Sequence, residues 1–321
     1  MSRPQIGLLC CLSFITLEAF QAVYLGSVFQ GVDSFLIGVW VFGISVVGCT
    51  AATAMLRPTE LVASIRSWKI VAALNIFAGI TWTTYFIAVQ LIEPAVVFTI
   101  FSGMVPLGTV IGAWLGLPEA SSPKRRLVHV GNVLIFFSMV LLAAMTVLGF
   151  SGFVRGGWFA ALIGVGLSAL SGGCTAFVIL YSVRLNGKGV GPLAQFGLRF
   201  ILYTILALIA FLIGIDDKDL HTPVGDHVWI IMIGLAVIAF PLYLVQKAVP
   251  LVSASIIAAV TALGPAMVFL MQLVDGRVGY SAATLGGLMI YFIGALMAVW
   301  GATRSSENLV TDGNLDADIG I

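Results

Sequence analysis

The chain has 321 residues, of which 60% are hydrophobic and only 9% are Asp, Glu, Lys or Arg, and its formal net charge is +1. Soluble domains carry about 25% charged residues, so the composition excludes a water-exposed globule, and the near-neutral charge gives no reason to expect nucleic-acid binding. Because a spanning helix takes about 20 apolar residues, we expect an all-α integral membrane protein with about ten transmembrane helices.

Ten apolar segments follow one another along the chain, and each is long enough to cross a bilayer. The first begins like a signal peptide, but no small-residue cleavage site follows, and the apolar stretch continues to about Val28, so we retain it as a helix. The predicted helices are 5–27, 35–56, 70–90, 95–117, 129–148, 157–181, 193–214, 228–246, 251–273 and 281–302.

Glu18 is an ionisable residue deep in the first predicted helix. At about 1.5 Å per residue it lies about 20 Å from Gln5, inside a hydrocarbon core of roughly 30 Å. An ionisable group there costs about 2.5 to 3.5 kcal/mol, so we expect Glu18 to face a cavity or a partner and to bind and release a proton. Gln21, one turn further, shares its face. The alternative is a neutral Glu18 that only fixes helix packing.

Asn75, Trp82 and Tyr85 lie roughly on one face of the third predicted helix, because their spacing is seven and then three residues. Aromatic rings with a polar edge suit a site for amines or ring compounds. We therefore predict that these residues line a cavity wall. Tyr85 has the alternative role of an anchor at the membrane interface.

The fourth predicted helix contains a proline and a glycine at every fourth position. Pro106 removes one backbone hydrogen bond and predicts a kink, and Pro265 holds the corresponding place in the ninth helix. Gly108, Gly112 and Gly116 leave one face without side chains. This predicts close helix packing, either inside the bundle or at a dimer seam.

The second half of the chain carries three further candidates. Arg199 and Tyr203 are four residues apart on the seventh helix, so they stack along one side. Arg199 could bind a substrate carboxylate, or its long side chain could snorkel back to the cytoplasmic surface. Tyr243 is a candidate for the rim of the cavity.

Acidic residues cluster in the loop 216–227 and at the end of the chain. The loop could hold a metal ion, but we favour a solvated loop in which Asp226 caps the eighth helix. We expect residues 305–321 to form a disordered acidic tail. The sequence predicts no metal site and no cofactor, since its cysteines have neither zinc nor disulfide spacing and lie in apolar runs: Cys10, Cys11, Cys49 and Cys174.

The basic residues of the loops are unevenly distributed. With the amino terminus in the cytoplasm, all of them except Arg155, Lys218 and Arg277 fall on the cytoplasmic side. The positive-inside rule therefore predicts that both termini are cytoplasmic. We expect a multi-pass protein of the cell (inner or plasma) membrane.

The two halves of the sequence contain similar landmarks at nearly equal spacing. These run from Tyr85 through Glu93-Pro94 to Pro106, and from Tyr243 through Val249-Pro250 to Pro265. We infer two five-helix repeats, residues 1–150 and 151–304, and the odd number inverts the second repeat in the membrane. Such halves can expose a central cavity to each side in turn, which favours a carrier over a pore.

Over nearly its whole length the chain resembles the drug/metabolite transporter superfamily in its EamA-type ten-helix form. The resemblance rests on residues 85–119, on their echo at 243–277, and on Gly286, Gly287 and Gly294. It implies two EamA-like repeats around a central cavity and a permease for metabolites, amino acids or drugs, often working in efflux.

The function predicted by these features is secondary transport, as an exporter of a small metabolite, amino-acid-like compound or drug. The carrier would work by alternating access and couple to protons through Glu18. Its partners would be the substrate, the lipid bilayer and protons, with the protein as a monomer or homodimer and without nucleic acid. Alternatives are a channel, which lacks a filter-like segment here, an enzyme, which lacks deep histidines or paired acids, and a membrane scaffold.

Overall fold

The computed structural model describes residues 3–29, 31–120, 126–216, 224–248, 251–252, 257 and 260–317. These residues form helices and connecting turns, with one isolated β-bridge between Ile92 and Val154. Nine helices within the described ranges are long and apolar enough to cross a membrane. The prediction of a multi-pass helical membrane protein is therefore confirmed at this level.

The helices of the first half are α1 (Arg3–Val28), α2 (Ser34–Leu56), α3 (Pro58–Arg66), α4 (Trp68–Leu91), α5 (Pro94–Trp114) and α6 (Arg126–Val147). Those of the second half are α7 (Gly157–Asn186), α8 (Pro192–Leu198), α9 (Ile201–Leu212), α10 (Val224–Gly234), a π-helical turn (Leu235–Ala239), α11 (Phe240–Ala248), α12 (Gly264–Asp275) and α13 (Ala282–Ala317). Several elements differ from the sequence prediction. α3 is an additional short helix, and the seventh span is broken into α8 and α9. Of the ninth predicted helix, 251–273, the structure gives the 12-residue α12 after a turn at 262–263, and residues 253–256, 258 and 259 lie outside the described part.

Local sequence explains where these helices begin and end. The Asp33 carboxylate accepts hydrogen bonds from the backbone N–H groups of Phe35 and Leu36 at 2.8 and 2.9 Å, which satisfies two donors at the start of α2. Prolines occupy the first turns of α3, α5, α8 and α12, where the missing N–H costs nothing. Gly276, at φ 72°, ends α12 in the left-handed conformation.

The two prolines that we expected to kink equivalent helices do not occupy equivalent positions. Pro106 lies inside α5, as predicted. Pro265 instead lies in the first turn of α12, after a turn at Ala262 and Leu263. Val260 and Thr261 before that turn are helical, so the helical path is interrupted directly before Pro265, and the proline lies where its ring is readily accommodated.

The last helix is longer than the sequence predicted. Its apolar span runs from Ala282 to Gly301, but the helical backbone continues to Ala317. The backbone is helical over residues 305–317 of the predicted tail 305–321, and residues 318–321 lie outside the described part. No proline follows Gly301 to stop the helix.

Two helices of each half pack on the first helix of the other half. In the first half α4 and α5 lie against α7, and in the second half α11 and α12 lie against α1. Further contacts join the halves directly, among them those of α2 with α8 and α9, α4 with α9, α5 with α12, and α6 with α13. The α6–α13 seam is especially close, because a Cβ on Gly131 would lie only 2.5 Å from the backbone nitrogen of Ala298.

The glycine face of α5 packs inside the bundle. A Cβ on Gly108 would lie 2.5 Å from the Cβ of Ala176, and one on Gly112 would lie 2.6 Å from a methyl group of Leu180, so both glycines face α7. Gly116 was expected on this face but does not belong to it. It has φ 78° and no neighbour within 4 Å of a Cβ, because it lies in the turn after α5.

Candidate functional site

Glu18 is buried among the helices and does not face lipid. Only 9% of its surface is exposed, and within the described part of the chain its carboxyl group has no hydrogen bond and no cationic partner. It lies close enough to Tyr85 of α4 for the two side chains to interact electrostatically. The first helix of one half thus brings a buried carboxyl group to the candidate aromatic face.

Four of the predicted site residues hold polar atoms that are buried and unsatisfied. Within the described residues, these atoms have no hydrogen-bond partner: Gln21 Nε2, the Tyr85 hydroxyl, Arg199 Nε and the Tyr203 hydroxyl. Buried polar groups in proteins are almost always paired, and each orphan costs about 1–3 kcal/mol. The described residues hold five more such atoms, on Thr50, Thr146, Ser151, Ser182 and Gln195. The four named here differ from these in belonging to the predicted site, where a ligand or water can complete them.

An aromatic cluster joins α2, α4 and the broken seventh span; we define it as Phe42, Trp82, Phe86, Phe200 and Tyr203. The Phe42 ring is its centre, with centroids 5.2 Å from Trp82, 4.4 Å from Phe200 and 4.9 Å from Tyr203. Tyr85 continues the cluster towards Glu18, because its ring lies 5.9 Å from that of Trp82. The predicted residues Trp82, Tyr85 and Tyr203 are therefore brought together.

Tyr203 fits into the cluster only because its neighbour on α2 is a glycine. A Cβ on Gly38 would lie 2.2 Å from the Tyr203 hydroxyl oxygen. The ring is almost completely buried, and an electrostatic interaction links it to Asp33 at the start of α2. The position of this hydroxyl is thus set by backbone approach, not by a hydrogen bond.

Arg199 lies at the break between α8 and α9. Its guanidinium carbon is 5.0 Å from the Phe196 ring centroid and 4.6 Å from that of Phe200, and only 6% of the residue is exposed. Within the described part of the chain no carboxylate pairs with it. The side chain is therefore held between rings inside the protein and does not snorkel to the surface.

Asn75 has a different role from the one that we expected. Its amide nitrogen donates to the carbonyl oxygens of Val71 and Leu198, at 2.9 and 2.8 Å, and its oxygen accepts from the backbone N–H of Leu202 at 3.0 Å. The last two bonds reach across the helix break on either side of Arg199. Both amide hydrogens of Asn75 are in use, so its side chain bridges the two parts of the broken helix.

Among the described residues, Tyr243, Asp216 and Asp226 do not belong to this cluster, and residues 217–223 of the acidic loop lie outside the described part of the chain. Tyr243 is half-buried on α11, and no ring contact joins it to the other candidates within the described residues. Asp216 accepts hydrogen bonds from the backbone N–H and the hydroxyl of Ser34 at 2.8 and 2.9 Å. Asp226 lies in the first turn of α10. In the described ranges no three His, Cys, Asp or Glu residues form a metal-binding group.

From the sequence we expected Glu93 only in a turn. In the structure, Glu93 is the centre of a buried polar network. Its carboxylate accepts from the backbone N–H of Gly152 and from the Thr284 hydroxyl, both at 2.7 Å, and from the Gln272 amide. Gln272 in turn accepts from the backbone N–H of Ala95 at 3.2 Å. Burial raises the pKa of Glu93, while the hydrogen bonds from Thr284, Gly152 and Gln272 oppose that rise.

This network joins the turn before α5 to α12, α13 and the loop before α7. The partners of Glu93 are 59 to 191 residues away in sequence, so sequence patterns do not reveal the network. Its one sequence landmark is the Glu93-Pro94 pair of the repeat. Tyr291 was also missed; it is buried on α13 and its hydroxyl bonds to Ser102 of α5. Nothing in a single apolar segment marks such a pair.

The comparisons with known proteins bear on the fold. No family model matches the sequence, and no curated protein matches it. Eleven chains among solved structures match. One is a crystal structure with 20% sequence identity and a TM-score of 0.58, in a match that covers 92% of this chain and 96% of that chain. At this identity the likeness establishes a shared fold over nearly the full length of both chains, and nothing more.

Proposed function

We propose that this protein is a secondary transporter of the cell membrane that moves a small organic molecule by alternating access. The observation that carries the proposal concerns Gln21, Tyr85, Arg199 and Tyr203, whose buried polar atoms have no hydrogen-bond partner among the described residues, and the carboxyl group of Glu18, which is likewise unpaired there. Buried unpaired groups are costly in hydrocarbon, and a transported ligand would offset that cost. The aromatic rings of the cluster, together with an acidic residue, Glu18, and a basic one, Arg199, suit an amino-acid-like metabolite or a drug-like compound.

An inverted repeat is part of this proposal, and the pattern of helix contacts supports it. The packing of α4 and α5 on α7 has its counterpart in the packing of α11 and α12 on α1, with the roles of the halves exchanged. The contacts of α2 with α8 and α9, α5 with α12, and α6 with α13 each join a helix to its own counterpart. This exchange is what a two-fold axis between two five-helix units generates.

The broken seventh span also supports a carrier. Discontinuous helices near the membrane centre are a recurring device of transporters, because they present backbone groups and side chains at a substrate site. Here the break lies at Arg199 and Phe200, beside the aromatic cluster. The sequence resemblance to EamA-type permeases adds the expectation of metabolite-sized substrates and of export.

Proton coupling through Glu18 follows from the same environment. Without a cation or donor among the described residues, its charged form is poorly solvated. Substrate binding, or an opening of the site to water, would change the relative stability of the charged and neutral forms of Glu18. One proton can therefore be taken up on one side of the membrane and released on the other. A carrier of this kind needs no metal and no cofactor.

A labelling experiment tests alternating access without knowledge of the substrate. Tyr85→Cys is introduced after the four native cysteines are replaced, and a membrane-impermeant maleimide is applied from either side of oriented vesicles. We expect labelling from both sides, in a ratio that changes with an imposed pH gradient, and we expect Glu18→Gln to abolish the pH response. Val89→Cys, at a buried position of α4 that packs against Gly26, is the control and should remain unlabelled.

Two results would contradict the proposal. If position 85 is labelled from neither side under any gradient, the site is inaccessible to water and serves only packing. A pH response that survives Glu18→Gln would remove the coupling role while leaving transport open. Saturable uptake of compounds from an amino-acid and amine panel in liposomes would then separate a carrier from a channel, which does not saturate at carrier rates.

A further inference from the structure

A cleft outside the transport site opens beside α3. It has a volume of about 680 Å³ and is lined by Pro58, Thr59, Val62, Ala63, Arg66, Ser67 and Lys188. All but the last come from α3 and the residue that follows it, and Lys188 comes from the turn after α7. Glu60 joins these two walls, because its carboxylate accepts from the backbone N–H of Gly191 at 3.0 Å.

The charges in this cleft are all positive. Arg66 and Lys188 are exposed, and no carboxylate lies among the lining residues. Within the described part of the chain neither forms an ion pair, whereas the neighbouring cations are engaged: Arg57 pairs with Glu60 at 3.1 Å and Arg184 with Glu119 at 2.9 Å. The cleft therefore presents two uncompensated cations.

The rim of the cleft is apolar and faces outwards. Val62 and Ile65 of α3, with 49% and 73% of their surface exposed, project from the helix beside Trp68. Trp68 is 63% exposed and begins α4, and the Lys69 ammonium lies 5.8 Å from its ring centroid. A tryptophan and a lysine at the end of a span are typical of the level of the lipid headgroups. The rim continues onto the exposed end of α2 at Met55 and Leu56.

We propose that this cleft binds the headgroup of an anionic phospholipid, with its phosphate between Arg66 and Lys188 and its acyl chains against Ile65 and Trp68. A short amphipathic helix with cations beside exposed apolar side chains has the properties of an interfacial lipid-binding element. The apolar rim favours a membrane lipid over a soluble phosphate, which would gain nothing from it. The bound headgroup would link α3 to the turn that leads into α8.

Lipid retention tests this site directly. Purified full-length protein is reconstituted in vesicles of phosphatidylcholine and phosphatidylglycerol in equal parts, extracted in mild detergent, and its bound lipids are counted by native mass spectrometry. We expect phosphatidylglycerol to be enriched on the unmodified chain. Arg66→Gln with Lys188→Gln should lower that enrichment by roughly five-fold for each cation removed.

The control double variant, Arg126→Gln with Lys247→Gln, removes the same charge from exposed residues outside the cleft and should keep the enrichment. An equal loss in the control would overturn the proposal, because it would indicate diffuse surface attraction. Equal retention of both lipids by the unmodified chain would overturn it as well.

A second variant keeps both cations and blocks the space between them. Thr59→Trp fills the cleft from α3 and should lower phosphatidylglycerol retention as much as the charge variants do; unchanged retention would overturn the proposal. Glycerol phosphate, added in large excess, distinguishes the sources of the phosphate group. Displacement of the lipid by this soluble compound would overturn the assignment to a membrane lipid.

Discussion

Arg199 and Glu18 are buried ionisable residues, and neither forms an ion pair with any residue that the structure describes. Removing a charged group from water costs several kcal/mol even after the protein relaxes, unless a partner compensates. The Arg199 guanidinium lies against the faces of Phe196 and Phe200, and among the described residues its Nε has no hydrogen-bond acceptor. A purely structural residue at this position would be better apolar, and under the transport function proposed above the charge would serve an anionic group of the ligand.

Replacing Arg199 should therefore separate stability from function. We expect Arg199→Met to raise the thermal midpoint in detergent, by the equivalent of about 1–4 kcal/mol, and to abolish stabilisation by carboxylate-bearing compounds in a ligand panel. Arg199→Lys should bind these compounds weakly, since an ammonium group cannot form a bidentate pair. The thermal midpoint is measured with and without each compound.

Arg184→Met serves as the matched control, because the Arg184–Glu119 pair is partly exposed and such pairs contribute about 0–1 kcal/mol. A fall of the midpoint in Arg199→Met, together with intact ligand stabilisation, would mean that Arg199 is structural after all.

Helices in this protein are interrupted where side chains of a neighbouring helix can replace the missing backbone bonds. The seventh span breaks at Arg199 and Phe200, and Asn75 of α4 bonds to both sides of the break. The glycines of α5 act without a helix break, since they allow α5 and α7 to approach each other closely. Both devices place α4 and α5 firmly against the second half of the chain.

Loss of the Asn75 amide should loosen the broken span. Asn75→Ala leaves the Leu202 N–H and the Leu198 carbonyl without their side-chain partner, at a cost of about 1–3 kcal/mol for each orphaned group. We expect a fall of several degrees in the thermal midpoint and faster hydrogen exchange at Leu202. Thr84→Val is the control, because Thr84 bonds only within α4; equal effects of the two changes would contradict the bridging role.

The α5–α7 seam should not tolerate an added methyl group. Gly108→Ala places a Cβ 2.5 Å from that of Ala176, so one of the helices must shift, at about 1–3 kcal/mol. Gly166→Ala on α7 meets nothing within 4 Å and should be neutral or stabilise by up to about 1 kcal/mol. Thermal midpoints of the two variants compare these outcomes, and a Gly108→Ala protein as stable as the Gly166→Ala protein would contradict the close approach.

At the scale of the whole molecule, the two halves are interlocked and do not sit side by side. The first helix of each half packs on the other half, and the Glu93 network joins α12 and α13 to the turn before α5. Movement of one half against the other must therefore break contacts at one end of the bundle. Glu93 is positioned to make that end rigid, because its carboxylate bonds to three separate segments.

Truncation of Glu93 should destabilise the whole bundle. Glu93→Ala leaves the donors of Gln272, Thr284 and Gly152 unpaired in a buried place, with a cost of about 1–3 kcal/mol for each group that finds no water. We expect a larger fall in the thermal midpoint than for Glu119→Ala, which removes a partly exposed ion pair. An equal, small effect of both changes would show that the network adds no stability.

The raised pKa of Glu93 also predicts a pH dependence. The folded protein holds the proton of this carboxyl group more strongly than the unfolded chain does. The resulting stabilisation is fully present below the ordinary glutamate pKa of about 4.3, and it is lost as the pH rises from that value through the raised pKa. The thermal midpoint of Glu93→Gln, measured as a function of pH, should not show this loss of stability. A pH dependence parallel to that of the unmodified protein would contradict the prediction.

The sequence by itself determined the membrane-spanning segments, since a run of about 20 apolar residues has no other stable environment. It also predicted that Glu18 is buried, because an isolated acid in such a run cannot face lipid at reasonable cost. Only the tertiary structure decided which partners polar residues find. Asn75 meets a backbone 123 residues away and Glu93 meets Thr284 191 residues away, and such contacts depend on which helix faces turn towards each other. The break at Arg199 belongs to the same class, because without Asn75 across from it the apolar sequence predicts one continuous helix.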